Sequence, residues 1–315
     1  MGSYVLKRLG TSLVVILGVT FVSFALLHII SPSPGRTVLG LEASPEAVAA
    51  FNTENGYDRP FLLQYGSYLW KLLHFDLGYS YKLNQSVVDL FGQNAGRTAV
   101  LVSVSLIIAL FIAVPLGIAQ AVKRNSIMDY TVTTVAFTTY AMPSFFLGMV
   151  LIEVFSLRLG IFPAQASQST SPWVVFTDPV SMALPVLSLV AITVALYSRY
   201  QRSAALDELV ADYVRVGRAK GLTMNQVVRR HVVRNALLPL ISLIGMTLPL
   251  VLAGNLVIEQ VFNYPGLGLL FYKSLESQDY PVLLAYALVT GVLTVIGNFA
   301  ADVALTFADP RIKLR

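Results

Sequence analysis

Residues 98–122 read TAVLVSVSLIIALFIAVPLGIAQAV, a run without a single charge, closed by Arg97 on one side and Lys123-Arg124 on the other. A helix needs about 20 such residues to cross the roughly 30 Å of bilayer hydrocarbon, where lipid offers a backbone amide no partner beyond the helix itself. The run is read as a membrane span, and five further stretches pass the same test: Leu9 to Ile30, Met128 to Leu157, Ser181 to Ser198, Leu237 to Ile258 and Pro281 to Phe307. Composition agrees, since 56% of the 315 residues are hydrophobic and 12% charged, with mean hydropathy +0.69. That lies outside the range of soluble globular domains. The expected fold is all-α: a polytopic membrane protein with six transmembrane helices.

The net charge of +5 would suit a nucleic-acid partner, but the positions of the charges decide otherwise. With the N-terminus in the cytoplasm, fifteen of the 22 Lys and Arg fall on the inner side and seven on the outer. Basic flanks are retained on the cytoplasmic face, so both termini are expected inside and no nucleic acid is needed as a partner. Lys7 and Arg8 ahead of the first run suggest an uncleaved signal anchor. There is no cysteine, which excludes disulfides, thiolate metal sites and thiol nucleophiles. His28, His74 and His231 lack metal-ligand spacing and are read as structural. No metal site and no catalytic cluster is expected.

Two connections exceed ordinary loop length. Residues 31–97 form an extracytoplasmic insert between a first helix at 1–30 and a core at 98–315 that carries the other five helices. Within the insert, Ser44-Pro45-Glu46 predicts a capped helix through Val48 to Phe51. A second helix follows Pro60, with Leu62, Tyr65, Leu69, Leu72 and Leu73 at helical spacing. Its apolar face fits either the outer membrane surface or a partner.

The other long connection, 199–236, holds eight of the fifteen inner basic residues and only three acids, Asp207, Glu208 and Asp212. Asp212 can start a short helix that Gly221 ends, because glycine alone enters the left-handed conformation without strain. Thr223 and Gln226 then form a capping box for a second helix. The predicted product is a sharp corner, suited to docking in another protein or to lying on anionic lipid.

At this corner the residues become specific. Asp212-Tyr213-Val214-Arg215, Arg218-Ala219-Lys220-Gly221-Leu222-Thr223, Arg230-His231 and Arg234-Asn235-Ala236-Leu237-Leu238-Pro239 resemble the cytoplasmic signature of dipeptide and oligopeptide ABC-transporter permeases. Tyr57-Asp58-Arg59-Pro60, Asp76-Leu77-Gly78, Met142-Pro143-Ser144-Phe145, Glu259-Gln260-Val261-Phe262, Pro265-Gly266-Leu267-Gly268 and the closing Asp309-Pro310-Arg311-Ile312 are similar to the same family in the same order. The short N-terminus and long first outer loop look like the first, B-type, permease of an unlike pair. After the first helix, Ser31-Pro32-Ser33-Pro34-Gly35-Arg36 lacks the aspartate of the family's usual turn.

The resemblance implies a type I ABC importer transmembrane domain in a bacterial inner membrane, forming half of a translocation pathway for short peptides. It implies an unlike second permease, one or two ATPase subunits carrying ATP and Mg, an extracytoplasmic peptide-binding protein and surrounding lipid as partners. It assigns coupling to the ATPase to Asp212, Tyr213, Val216, Gly217, Lys220, Gly221 and Leu222. This sequence has no Gly-x-x-x-x-Gly-Lys-Ser/Thr, so the chain is expected not to hydrolyse nucleotide itself and to hold no cofactor. Candidates for the pathway are Thr131, Thr134 and Thr138, a polar stripe at helical spacing that also suits close helix packing, with Pro143, Glu153 and Asn255. Alternatives are a permease of this family for a nickel chelate, glutathione or oligosaccharide, and an ion-coupled secondary transporter.

Overall fold

Proline, serine and asparagine decide where the helices begin and break. The computed structural model describes residues 2–30, 34–40, 42–252 and 255–308. The turn at 31–33 and the closing motif at 309–312 lie outside them. After α1 (Gly2–Ile30) the insert supplies α2 (Pro34–Leu39), α3 (Pro45–Glu54) and α4 (Phe61–Leu73). Ser44 caps α3 as expected, its hydroxyl accepting the Ala47 amide at 3.2 Å. A two-rung antiparallel hairpin follows, β1 (Tyr79–Ser80) on β2 (Gln85–Ser86). Ser80 of the hairpin donates to the buried Asp279, and burial raises that carboxyl above the usual carboxylate range.

The run at 98–122 is the middle of a longer helix, α5 (Val87–Val122), which starts where Ser86 accepts the Asp89 amide. Its 36 residues reach about 54 Å, so its first turns project into the insert. The third expected span is two helices, α6 (Ile127–Ala141) and α7 (Ser144–Leu151), the latter widening into a π-helical turn at Ile152–Arg158. They meet at 108°. Pro143 is the cause: the residue before proline is pushed out of helical geometry, and Met142 is extended at ψ 133°. The one continuous helix expected over Met128 to Leu157 is corrected to this bent pair.

Beyond α8 (Val174–Thr177), α9 (Pro179–Leu209) outruns the fourth expected span and occupies the first part of the connection at 199–236. The corner then forms from α10 (Asp212–Ala219), α11 (Met224–Val227) and, after a wide turn at Val228–Val232, α12 (Val233–Ala236). The fifth expected span is also interrupted. α13 (Leu238–Leu252) ends ahead of two residues outside the described set, and Asn255 then caps a new helix, α14 (Leu256–Val261). α15 (Leu267–Glu276) and α16 (Tyr280–Ala308) close the chain. Among the described residues four continuous helices are long and apolar enough to cross a bilayer, Gly10–Ile30, α5, α9 and Tyr280–Ala300, and the bent α6–α7 pair is apolar enough to count as a fifth if taken as one broken span.

The long helices pack pairwise: α5 along α9, α13 along α16, with α1 on α16 and α6 on α9. A core of Leu101, Met182, Leu184, Ile258, Phe262 and Tyr264 fills the space between α5, α9 and α14. Outward faces stay apolar, as Phe111 at 77% exposure shows, because lipid rather than water meets them. α5 and α9 approach closely at Gly117, where a Cβ would stand 2.6 Å from the Ser198 carbonyl oxygen and 2.9 Å from the Arg202 nitrogen. Gly92, on the same helix, faces open space. Gly117→Leu should therefore lower the thermal stability of the detergent-solubilised chain by ~1–3 kcal/mol or more through overpacking against backbone. Gly92→Ala should raise it by up to ~1 kcal/mol, since alanine loses less entropy in a helix. Thermal unfolding of the two purified variants checks both signs.

Candidate functional site

The corner between α9 and α12 is built from hydrogen bonds the sequence dictates. α10 shows one buried face, Val214 and Gly217, and an exposed one, Asp212, Arg215, Val216, Arg218 and Ala219. Ala211 is the residue before its first turn, and Asp212 lies inside that turn, where a negative charge suits the positive helix end. The helix closes on Gly221 at φ +85°. The Leu222 amide reaches back to the Gly217 carbonyl at 3.2 Å and the Gly221 amide to that of Arg218 at 3.0 Å, the paired bonds of a Schellman stop. The capping box follows directly: the Thr223 amide donates to Gln226 Oε1 at 2.8 Å, and the Gln226 amide to Thr223 Oγ1 at 3.4 Å. Two termini are thus satisfied within a few residues, leaving the turn little freedom.

The inner face of this elbow is fused to the long helices. Val214, Val227, Val232 and Ala236 bury against Ala121 of α5 and Ala205 of α9. Gly217 is part of that packing, since a Cβ there would come 3.3 Å from Val227 Cγ2 and 3.7 Å from Leu222 Cδ1. Its missing side chain serves the elbow's own interior. Tyr213 is half-buried, donates to the Glu208 carboxylate, and has its hydroxyl pKa raised by burial and by that neighbour. Val216, Lys220, Gly221 and Met224 are exposed, as are Arg218, Arg229, Arg230 and Arg234.

One ion pair ties the elbow's stem to α6. Arg202 on α9 grips Asp129 with two bonds, Nε to Oδ1 at 2.7 Å and Nη2 to Oδ2 at 2.8 Å. Asp129 is 2% exposed and also accepts the Asn125 amide at 3.0 Å. Just above it, the Arg199 guanidinium lies 3.9 Å over the Phe137 ring. Sequence reading missed Asp129. The only local signal was the Ser126-x-x-Asp129 helix start, and its partner lies 73 residues away.

A second missed group is Glu259, fully buried. Thr98 donates its hydroxyl to Oε1 at 2.8 Å, the Leu269 amide donates to Oε2 at 3.0 Å, and the Leu267 amide in turn reaches Thr98 Oγ1 at 2.8 Å. A Cβ at Gly266 would strike the same carboxylate, and one at Gly268 would sit 2.6 Å from Leu256 Cα. The Pro265-Gly266-Leu267-Gly268 stretch therefore leaves room for a carboxylate that caps α15 and holds it to α5.

The expected pathway residues are not brought together as one cluster. Thr131, Thr134 and Thr138 line an exposed face of α6, and Pro143 sits at the bend. Glu153 is paired with Arg158 at 2.9 Å, five residues on, where the wide turn aligns them. Asn255 spends its side chain on the Ile258 amide at 3.3 Å. A cavity of about 450 Å³ lies elsewhere, between α1, the insert and the start of α16, with His28, Tyr68, Lys71 and Asp279 in its wall.

Residues 113–314 match the family model described as the binding-protein-dependent transport system inner membrane component, and residues 1–102 match the model of the N-terminal part of such membrane components. The chain belongs to this family. It is 35% identical over 315 residues, 99% of the chain and all of the relative, to the oligopeptide transport system permease protein AppB of Bacillus subtilis. To the dipeptide transport system permease protein DppB of Escherichia coli K12 it is 33% identical, with 99% of each chain covered. A chain of the MetNI methionine ABC transporter in an inward-facing conformation superposes with TM-score 0.54 at 19% identity, covering 70% of this permease and 97% of that chain, a likeness of fold. The permease is a transport component of an ABC importer, a class that does not itself perform catalysis.

Removing one partner of a buried pair leaves the other charge uncompensated, at about 3–5 kcal/mol. Arg202 is 27% exposed, so Asp129→Asn in this permease should cost toward the low end of that range. The elbow's exposed Asp212–Arg215 pair, at 3.6 Å, belongs to the class worth ~0–1 kcal/mol. Melting temperatures of Asp129→Asn and Asp212→Asn, measured side by side, should separate clearly, with the second near wild type.

Proposed function

We propose that this chain forms half of the translocation pathway of an ATP-driven importer of short peptides, beside a second, unlike permease. The elbow faces the cytoplasm, as do both termini, and its outer face seats in a groove of one of one or two separate ATPase subunits, which hold ATP and Mg. An extracytoplasmic binding protein delivers the peptide on the side of the insert. Peptide is favoured over a nickel chelate, glutathione or an oligosaccharide because relatives that cover 99% of the chain are an oligopeptide and a dipeptide permease.

The observation that carries the coupling role is the division of the elbow into two faces. Val214 is locked to α5 and α9 and Gly217 packs on Val227 inside the elbow, while Val216, Ala219, Lys220 and Met224 are open. A helix closed by a Schellman stop and followed at once by a capping box moves as a rigid piece, so a push on its outer face is handed to α9. Asp129 and Arg202 then pass the movement to α6, whose threonine face is a candidate lining of the pathway. The coupling residues divide accordingly: Val216, Lys220 and Gly221 make the contact with the ATPase, Asp212 flanks it, and Tyr213, Gly217 and Leu222 hold the shape.

This separates two substitutions. Val216→Asp should leave the permease's thermal stability unchanged and reduce ATPase stimulation by a peptide-loaded receptor about tenfold or more, the loss of ~1.4 kcal/mol of coupling. Gly217→Leu should lower thermal stability first. ATP hydrolysis by the purified assembly, measured with and without loaded receptor, tests the pair. Undiminished stimulation in Val216→Asp would refute the docking role.

A further inference from the structure

The insert was expected to fold outside the membrane, yet α4 is docked on a part of α1 that must lie within it. The apolar run Leu9–Ile30 spans about 33 Å at 1.5 Å per residue, which leaves almost no surplus over a hydrocarbon core of roughly 30 Å. Phe24 and Phe21 stand six and nine residues before Ile30, so they sit about 9 and 14 Å inside the end of the run. These two rings hold α4. Phe61 meets Phe21 at 5.8 Å and Phe24 at 5.5 Å, Tyr65 meets them at 5.2 and 5.6 Å, and Tyr68 stacks on Phe24 at 5.4 Å.

The polar end of this contact is informative. Tyr65 donates its hydroxyl to the Leu17 carbonyl of α1 at 3.2 Å and lies 3.1 Å from Thr20 Oγ1. A helical carbonyl is already engaged within its own helix, and a tyrosine in water has no need of it. Where water is absent, a hydroxyl takes the acceptor at hand.

The opposite face of α4 is apolar and uncovered. Leu62, Leu63, Trp70 and Leu73 are 60–74% exposed, and the stripe Leu62, Gly66, Trp70, Leu73 runs the length of the helix without a charge. At the same level α1 exposes Val22 and Leu26. We infer that α4 is sunk in the bilayer leaflet reached by the second half of α1, with Leu62, Leu63, Trp70 and Leu73 in contact with phospholipid acyl chains. The insert is then anchored in lipid beside the first span, and only its remaining parts stand in water.

The chain has no cysteine, so Leu63→Cys and Leu73→Cys each give a single thiol for a nitroxide label, with Val22→Cys as the lipid reference and Glu54→Cys as the aqueous one. The side chains replaced are exposed, and an unchanged melting temperature verifies that the labelled protein is folded. The full assembly is reconstituted in phosphatidylcholine vesicles, and collision of each label with oxygen and with a water-soluble nickel chelate present on both sides is measured. At 63 and 73 the oxygen-to-nickel ratio should match that at 22 and exceed that at 54 several-fold. A ratio equal to that at 54 would put the face in water, and low collision with both reagents would put it against a protein partner. Either result overturns the inference.

Discussion

Gly117 lets two long helices touch backbone to backbone, and the mechanical design of the protein follows from that contact. With any side chain there, α5 and α9 would separate near Ser198 and Arg202. Held together, they form a stiff pair of which α9 is the longer on the elbow side, running on to Leu209. The seam buries polar groups as well: Gln120 donates to Thr133 of α6 at 3.1 Å, so a third helix joins at the same level. A close seam of this kind suits a membrane protein, in which helix association is driven by packing rather than by expulsion of water.

Magnitudes sort the charges that surround the seam. The elbow carries many basic groups, and most stand exposed, where pairing and screening leave them little energetic weight. Basic groups concentrated in a membrane protein's loops generally favour the cytoplasmic side. Asp129 and Arg202 belong to another class, because the carboxylate is shielded and gripped at two points in addition to the Asn125 amide. Glu259 on the far side of the core does comparable work, fastening α15 to α5 through Thr98. The two buried acids thus fasten different joints, Asp129 holding α6 to α9 and Glu259 holding α15 to α5.

Lipid as solvent was legible in the sequence, and so was the elbow. Continuous apolar runs give α1, α5, α9 and α16 directly, and the glycine stop at Gly221 with the Thr223–Gln226 box is a local code read without knowledge of the fold. What escaped is non-local or geometric. Pro143 was read only as a pathway candidate, and the 108° bend it starts depends also on what α7 packs against, including Val261 and Phe262 beside Gly148. Glu153 looked like a lone acid in a span because the wide turn that aligns it with Arg158 has no strong sequence signature. Gly217 was assigned to coupling by resemblance alone, and the neighbour that fills the space beside it, Val227, lies across the corner in the next helix. The depth of α4 was hidden because amphipathic spacing does not say which of its faces meets a neighbouring helix.

In the proposed coupling, the elbow and α9 move as one body when the partner ATPases close. Distance measurement between nitroxides at Val216 on the elbow and Leu187 on α9, in the reconstituted assembly, tests it most directly. The distribution should be narrow and identical in the nucleotide-free and vanadate-trapped states. A shift or a second population on trapping would mean that the elbow flexes on its stem, and the transmission described here would be wrong.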